Sequence, residues 1–540
     1  MSSADFLLVK PLKLDGAVSF SRASEATYFD AAGVLQTAPP DTLRVTYDPA
    51  DLSKAPYALV EKAKTNFIRN NTMQGAVVGT VAPLPTGWTT SSVAGVGLSI
   101  EVTEIGSYSG IDCVDVRIFG TPSQNSGSTI DFALANYIAA LPEQLFALSC
   151  YLKLAAGSIS PNFNLALSLS ERTSGGAQIG AAANGPIINL GSQADLLIRH
   201  DFYKTTINAD VRFVVPRLRF NVYGGQPTDF TIRIGLPQFE YDEVTSPIKT
   251  SGAAVTRAAD SVGPGAGLVY SNVPITEPLW VAGTYALGAK VRNAANFVFE
   301  SLAAGNTAAL TDKTKWPPLG ITNRLKMFDK AVNSQTTAPE ALTVVVKAGQ
   351  LANTLTLLNV AGSEVTVTQS DSGYSRPISL VSHNVLSWYD FWYQEPQWVG
   401  DITIGDVPPY INSLLTVHVK SPTNLAALGG FFMGRAKFIG KTQWGLKAGI
   451  LSYSGEEEDD FGNVTLLPRD SAKKMNFEVS IPRGYEDEVY RFLRAADNVE
   501  MVAIASTNWS MTQSYGYLGQ WEVPLGIEGE KMPVEWRGLI

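Results

Sequence analysis

The chain has 540 residues, with 41 basic against 50 acidic side chains, a net charge of −9 and only 17% charged residues. That balance excludes the basic footprint of a nucleic-acid binder, and no run of about 18 apolar residues is present to cross a membrane as a helix. Single hydrophobic cores stop growing at about 250–300 residues, so this length predicts three or four domains. The two cysteines, Cys113 and Cys150, stand far apart without metal-ligand spacing, which predicts buried thiols in a reducing compartment rather than a disulfide framework. The opening MSSADFLLVKPLKLDG lacks the apolar run of a signal peptide. Alternating apolar and polar residues broken by glycine outnumber helix-period segments, so the expected class is mainly β, with several domains in series.

In chain order, residues 1–71 read as short strands with tight turns: 6–9, 18–21, 27–29 and 44–47, with a hairpin turn over DAAG at 30–33. The string VSFSRASEATYFDAAGVLQTAPPDTLRVTYDP, followed by ALVEKAKTNFIRNN, covers residues 18–71. It resembles a segment that recurs in tail and tail-fibre proteins of tailed bacteriophages. The resemblance implies an arm that attaches a downstream domain. Relatives continue with an LLVEEARTNLL phrase, where this chain has Ala58 and Lys62.

Residues 72–262 have the pattern of a jelly-roll sandwich. In the stretch 217–223, Leu218, Phe220 and Val222 alternate with Arg217, Arg219 and Asn221, which implies one buried and one solvated sheet face. The following LPQFEYDEVTSPIKTSGAAVTRAAD, residues 236–260, again resembles phage tail-fibre sequence, where it ends a carbohydrate-binding-like jelly roll. GPGAG at 263–267 is a linker.

Residues 278–320 form a small aromatic segment with Trp280, Gly283, Tyr285, Gly288 and Val291, then Phe297, Phe299 and Trp316. The spacing W-x2-G-x-Y-x2-G-x2-V resembles small chitin-binding-type carbohydrate modules, in which exposed rings stack on sugars. By that resemblance Trp280, Tyr285 and Trp316 are the candidate carbohydrate-binding residues. The competing reading makes them, with Phe297 and Phe299, the core of a module too small to bury much else.

Residues 321–436 read as a second sandwich, with strands at 342–347, 354–359 and 364–369, similar to the galactose-binding-like sandwich beside such modules in phage tail proteins. Within it, SWYDFWYQEPQW at 387–398 holds six rings in twelve residues. Consecutive aromatics on a strand cannot all face inward, so Trp388, Tyr389, Trp392, Tyr393 and Trp398 are the candidate subunit-interface residues, with core packing and glycan binding as the competing readings. The acidic run at 456–460 lacks the D-x-D-x-D-G spacing of a calcium loop and reads as a solvated hairpin tip.

Residues 437–540 read as an α+β domain with one helix over 485–496. Tyr485, Val489, Phe492, Leu493 and Ala496 make its apolar stripe, and Glu486, Asp487 and Glu488 complement its first turn. This region resembles a C-terminal domain of phage tail and baseplate proteins, which implies a docking role. The three histidines, His200, His383 and His418, lie in strand-like contexts, and no nucleophile elbow, zinc pair or phosphate loop appears. No catalytic residue, metal or cofactor is expected.

Taken together, the resemblances imply a virion protein of the tail tip, tail fibre or baseplate, assembled in the host cytoplasm. Its partners would be other tail proteins, further copies of itself as a trimer or higher, and host-surface glycan. The alternatives are a tailspike-type enzyme that degrades polysaccharide, and a spacer with no receptor of its own.

Overall fold

The computed structural model describes residues 5–14, 16–80, 83–133, 137–159, 164–190, 197–382, 387–393, 397–458, 464–497, 499–507, 510–519, 521–524 and 531–539. The fold is mainly β, with two α-helices among the described residues. These residues form two compact units: Phe20–Ser261, and Met1–Ser19 together with Val262–Ile540.

Phe20–Ser261 is built on two antiparallel sheets. One orders the strands Ile198–Thr205, Leu145–Gly157, Thr228–Tyr241, Ile111–Gly120, Leu98–Tyr108 and Gly79–Thr80. The other runs Ala183–Asn184, Leu165–Arg172, Phe213–Val222, Ser126–Asp131 and Thr89–Ser91. Leu218, Phe220 and Val222 point into the shared core with Val114, Val116, Leu167 and Ile232, as the alternation predicts. Cys113 and Cys150 are buried free thiols. Burial pushes both up, Cys113 to about 12, so both stay protonated.

The N-terminal segment is fastened to the end of this sandwich by buried charge. The Asp260 carboxylate accepts from Arg22 at 3.1 Å and from Arg44 at 2.6 Å, and all three side chains are fully buried. Glu61 pairs with Arg44 and with Arg257, each at 2.8 Å. Burial alone would raise the Glu61 carboxyl, but Arg257 and Arg44, helped by hydrogen bonds from Ser246, hold it below its ordinary range. The guanidinium of Arg22 spends its other donors on the carbonyls of Ser24, Ala38, Pro39 and Thr42. The SRAS and TRAAD strings thus meet as a structural clasp.

The other unit is threaded on one strand, Leu414–Thr442. Its first part pairs with Thr336–Lys347, Thr354–Ala361 and Glu364–Gln369 around a second sandwich core that includes Leu342, Val344, Leu355, Val365, Val417 and Phe431. Its last part pairs with Asp5–Pro11. From there the pairing continues through Met501–Ile504, Gln513–Leu518, Met532–Gly538 and Ser471–Ser480, then returns to Lys441 and Thr442. Six strands therefore close on themselves as a barrel, which leaves no open edge in that circuit. At the closure a Cβ on Gly440 would stand 2.6 Å from the Ser480 carbonyl, so only glycine fits there.

Phe6 and Leu8 of the first strand fill the barrel with Met475, Phe477, Met501 and Trp536. On the opposite face, Val9 joins Leu358, Phe432 and Val502. Helix α2 (Glu486–Ala495) adds Val489 and Leu493 to the barrel core and carries Glu486, Asp487 and Glu488 in its first turn. The helix forms where its apolar stripe predicts. The segmentation differs from the serial reading: the strand Asp5–Pro11 lies in the C-terminal unit rather than in an arm of residues 1–71, and Leu414–Thr442 runs through the expected boundary at 436. Pairing between chain ends leaves no local mark in the sequence.

The small module of residues 278–320 carries a three-stranded sheet, Lys290–Arg292, Phe297–Glu300 and Pro318–Ile321. Val291, Val298 and Trp316 are its buried apolar side chains, and the Trp316 Nε1 donates to the Ala308 carbonyl at 2.9 Å. Phe297 is exposed and Phe299 only half-buried, so neither makes the core expected of it. Val298, between them, points inward instead.

Removing one member of a buried ion cluster leaves the others uncompensated. Asp260→Ala should therefore lower stability by about 3–5 kcal/mol in urea unfolding, whereas replacing Lys54 of the exposed Lys54–Asp48 pair should leave the midpoint in place. Trp316→Ala should cost about 3–5 kcal/mol within the module and open residues 278–320 to protease, and Phe297→Ala should do neither. A third test uses His418, whose ring meets the Thr343 hydroxyl at 2.9 Å. Burial, reinforced by Lys420 and opposed by Glu364, pushes this imidazole down to about 4. It stays neutral in the folded chain while the unfolded chain protonates near pH 6.5. Stability is thus full above about pH 6.5 and falls as the pH drops toward 4, by up to about 3 kcal/mol. His418→Gln should flatten that slope.

Candidate functional site

Helix α1 (Trp388–Tyr393) carries the densest group of predicted site residues. It is a helix where the sequence suggested a strand, and its cap explains the difference. Ser387 Oγ accepts from the Asp390 amide at 3.2 Å and donates to the Asp390 carboxylate at 2.9 Å. This reciprocal Ser-x-x-Asp arrangement starts a helix despite the β preference of aromatic residues.

None of the helix is buried. Trp388 is 79% exposed, Tyr389 70%, Trp392 70%, Tyr393 72% and the neighbouring Trp398 64%. The rings lean on one another instead of on a core: Trp388 meets Phe391 edge-on at 6.1 Å, Phe391 meets Trp392 at 5.1 Å, and Tyr389 meets Tyr393 at 5.1 Å. The first and last of these pairs are the i,i+3 and i,i+4 neighbours of a helical turn, and Phe391 and Trp392 are adjacent in the chain. All five predicted interface residues are exposed, and Phe391 joins them. Trp444, 77% exposed, is a further ring that sequence reasoning did not single out, because nothing aromatic flanks it.

The carbohydrate-type candidates are arranged differently. Trp316 is the buried core of its module and offers no face to a sugar. Tyr285 stands edge-on to it at 5.2 Å, with its hydroxyl donating to the Val281 carbonyl at 2.7 Å and accepting from the Val281 amide at 3.1 Å. Trp280 is half-buried, its indole N–H enclosed without a partner among the described residues. The three do not form one open platform: the spacing that resembles such modules fixes the order of the rings along the chain, not which ring packs inward.

Two other places were weighed in the sequence. His200 lies on the edge strand Ile198–Thr205 and lines a cleft of about 470 Å³ with Leu167, Pro186, Asn189 and Phe202. Its Nε2 is buried without a hydrogen-bond partner among the described residues, and burial lowers its pKa, so the ring is neutral near pH 7. The acidic Glu456, Glu457 and Glu458 are exposed on the strand Gly455–Glu458, which pairs with Val464–Leu467 as a hairpin. Asp459, Asp460 and His383 lie outside the described residues. Among the described residues no helix is long and apolar enough to cross a membrane.

No family model and no curated protein matches the chain. Among solved structures, it is similar to the enzymatically active domain of a tailspike protein of bacteriophage CBA120, at 13% identity over 29% of this chain and 20% of that one, with a TM-score of 0.19. A xylan-binding domain from Paenibacillus barcinonensis is 15% identical over 34% of this chain and 99% of its own length, with a TM-score of 0.20. A fucolectin from striped bass serum is 9% identical over 60% of this chain and 86% of that one, with a TM-score of 0.15. The chain thus spans a fifth of the tailspike chain, and likenesses this faint do not bear on what it does.

Proposed function

We propose that this chain is a virion structural protein of a phage tail tip, tail fibre or baseplate, which assembles with further copies and other tail proteins and attaches to host-surface glycan. The role is assembly and adhesion, without catalysis. The resemblance of residues 18–71, 236–260 and the C-terminal region to phage tail sequences supports the virion reading.

The observation that carries it is the ring cluster of α1 and Trp398. Full burial of a large apolar side chain is worth about 1.5–3 kcal/mol, and here six rings within eleven positions are each more than half exposed. Contiguous apolar surface of this kind marks an interaction site. Tyr and Trp are the residues that anchor interfaces, because their rings bury much area while their polar tips tolerate water. A trimer or larger ring would also multiply weak sugar contacts, raising avidity by roughly 10²–10⁴ without new contact types.

Sedimentation of the full chain tests the assembly role. The wild type should sediment as a trimer or larger, and the triple variant Trp388→Ser, Trp392→Ser, Trp398→Ser as a monomer with an unchanged melting temperature. A wild type that stays monomeric at tens of micromolar, or a variant that assembles normally, would refute the interface. An antibody raised against the chain should decorate the distal tail of virions in negative stain. Release of reducing ends from envelope polysaccharide would count against the non-catalytic role.

A further inference from the structure

Unpartnered polar atoms of Phe20–Ser261 gather on the outer face of one sheet, the face turned away from the core. Cross-strand register places Ser168, Arg217, Asp131 and Thr89 in a single row over four strands. Arg219 and Thr129 stand in the row on one side, and Ser170 in the row on the other. Adjacent strands are about 4.8 Å apart, so the row spans roughly 14 Å, long enough for a disaccharide.

The charges on this face do not balance. Arg172, Arg217 and Arg219 share it with one carboxylate, Asp131. Asp131 already accepts from the hydroxyls of Ser91 at 2.7 Å and Thr129 at 3.1 Å. Its Oδ1 lies 3.1 Å from the Arg217 Nε, but without the alignment of a hydrogen bond. Arg217 Nε and Nη2, Arg172 Nε, Ser170 Oγ and Thr89 Oγ1 are all buried and lack a hydrogen-bond partner among the described residues. Burial lowers the pKa of Arg217, partly offset by Asp131, and the positive charges of Arg172 and Arg219 lower it further. Arg219 is half-buried and makes no hydrogen bond or ion pair among the described residues. Arg172 does donate from Nη1 to the Gly176 carbonyl at 2.8 Å, but guanidiniums that repel one another and leave enclosed N–H groups without acceptors are costly to fold. Such a group is explained by a ligand that supplies the missing acceptors.

We propose that this face binds an acidic saccharide, its carboxylate accepting from the Arg217 and Arg219 guanidiniums. Tyr137, on the short strand Ile138–Ala139's approach and 5.4 Å from the Arg172 guanidinium, supplies an aromatic ring at the margin. A carboxylate between two guanidiniums makes charge-assisted hydrogen bonds, the strong kind. The inference rests on the glycan-attachment reading above and names the class of glycan.

Ligand-observed saturation-transfer NMR on the full chain tests it, with methyl β-D-glucuronoside, the neutral methyl β-D-glucoside and inorganic sulfate as probes. The glucuronoside should bind at millimolar strength and at least about tenfold tighter than the glucoside. Arg219→Gln should weaken it at least about fivefold, with the melting temperature kept. Arg217→Met should abolish binding and lower the melting temperature as well, because it leaves the buried Asp131 without its ion pair; Arg219→Gln, which breaks no pair, therefore carries the test. Equal binding of both glycosides, unchanged binding by Arg219→Gln, or no glucuronoside signal would overturn the site. Sulfate competing as strongly as the glucuronoside would reduce it to a bare anion site and overturn the saccharide. Host polysaccharide that still retains the chain after any of these failures would leave attachment standing and sink this site alone.

Discussion

Closure of the C-terminal barrel by the strand Asp5–Pro11 is the constraint on which the larger unit depends. Without it, the last part of Leu414–Thr442 and the strand Met501–Ile504 would each present a row of unpaired amides and carbonyls. The strand is apolar on both sides because both sides are buried, Phe6 and Leu8 toward one core and Val9 toward another. Its pairing joins residues such as Leu8 and Lys437 from opposite ends of the chain. Contacts so distant in sequence form late, because loop-closure entropy must be overcome before they contribute. Leu414–Thr442 then links that barrel to the second sandwich as a single continuous strand, so the two cores share one backbone.

The other unit solves a similar problem with charge. Its N-terminal segment has short strands and little apolar surface, and it is tied down by Arg22, Arg44 and Arg257 against Asp260 and Glu61. Such buried pairs give geometry more than net stability, since desolvation consumes much of the Coulomb energy. Asn66 and Asn71 extend the same tie by hydrogen bonds to Ile248, Phe239 and Thr250. The strings that resemble phage tail sequences are therefore concentrated in fastening rather than in an exposed site. The outer sheet face with Arg217 is the reverse case, where three guanidiniums share one carboxylate, Asp131.

Much of the fold was legible in local pattern. The alternation over Leu218, Phe220 and Val222, the strands about Val344, Leu355 and Val365, and the stripe of α2 all correspond to buried faces. What periodicity cannot supply is identity of the inner face or of the distant partner. Phe297 and Phe299 alternate correctly, yet Val298 is the residue inside. Arg22 and Asp260 look like surface charge until their partners are known. On α1 the exposure of the rings was legible from their crowding, whereas the helix depended on a two-residue cap, Ser387 with Asp390. The arginine row escaped notice because its members come from strands whose register only the fold reveals.

The places where Phe20–Ser261 departs from and rejoins the other unit are neighbours: the Gly263 amide donates to the Ser19 carbonyl at 2.8 Å. Topologically, that whole sandwich is a cassette inserted into one connection of its host unit. Recombination at these two adjacent points could exchange it for another insert while every strand of the barrel stayed in place. Selection on the cassette is thereby uncoupled from selection on what holds the remainder together.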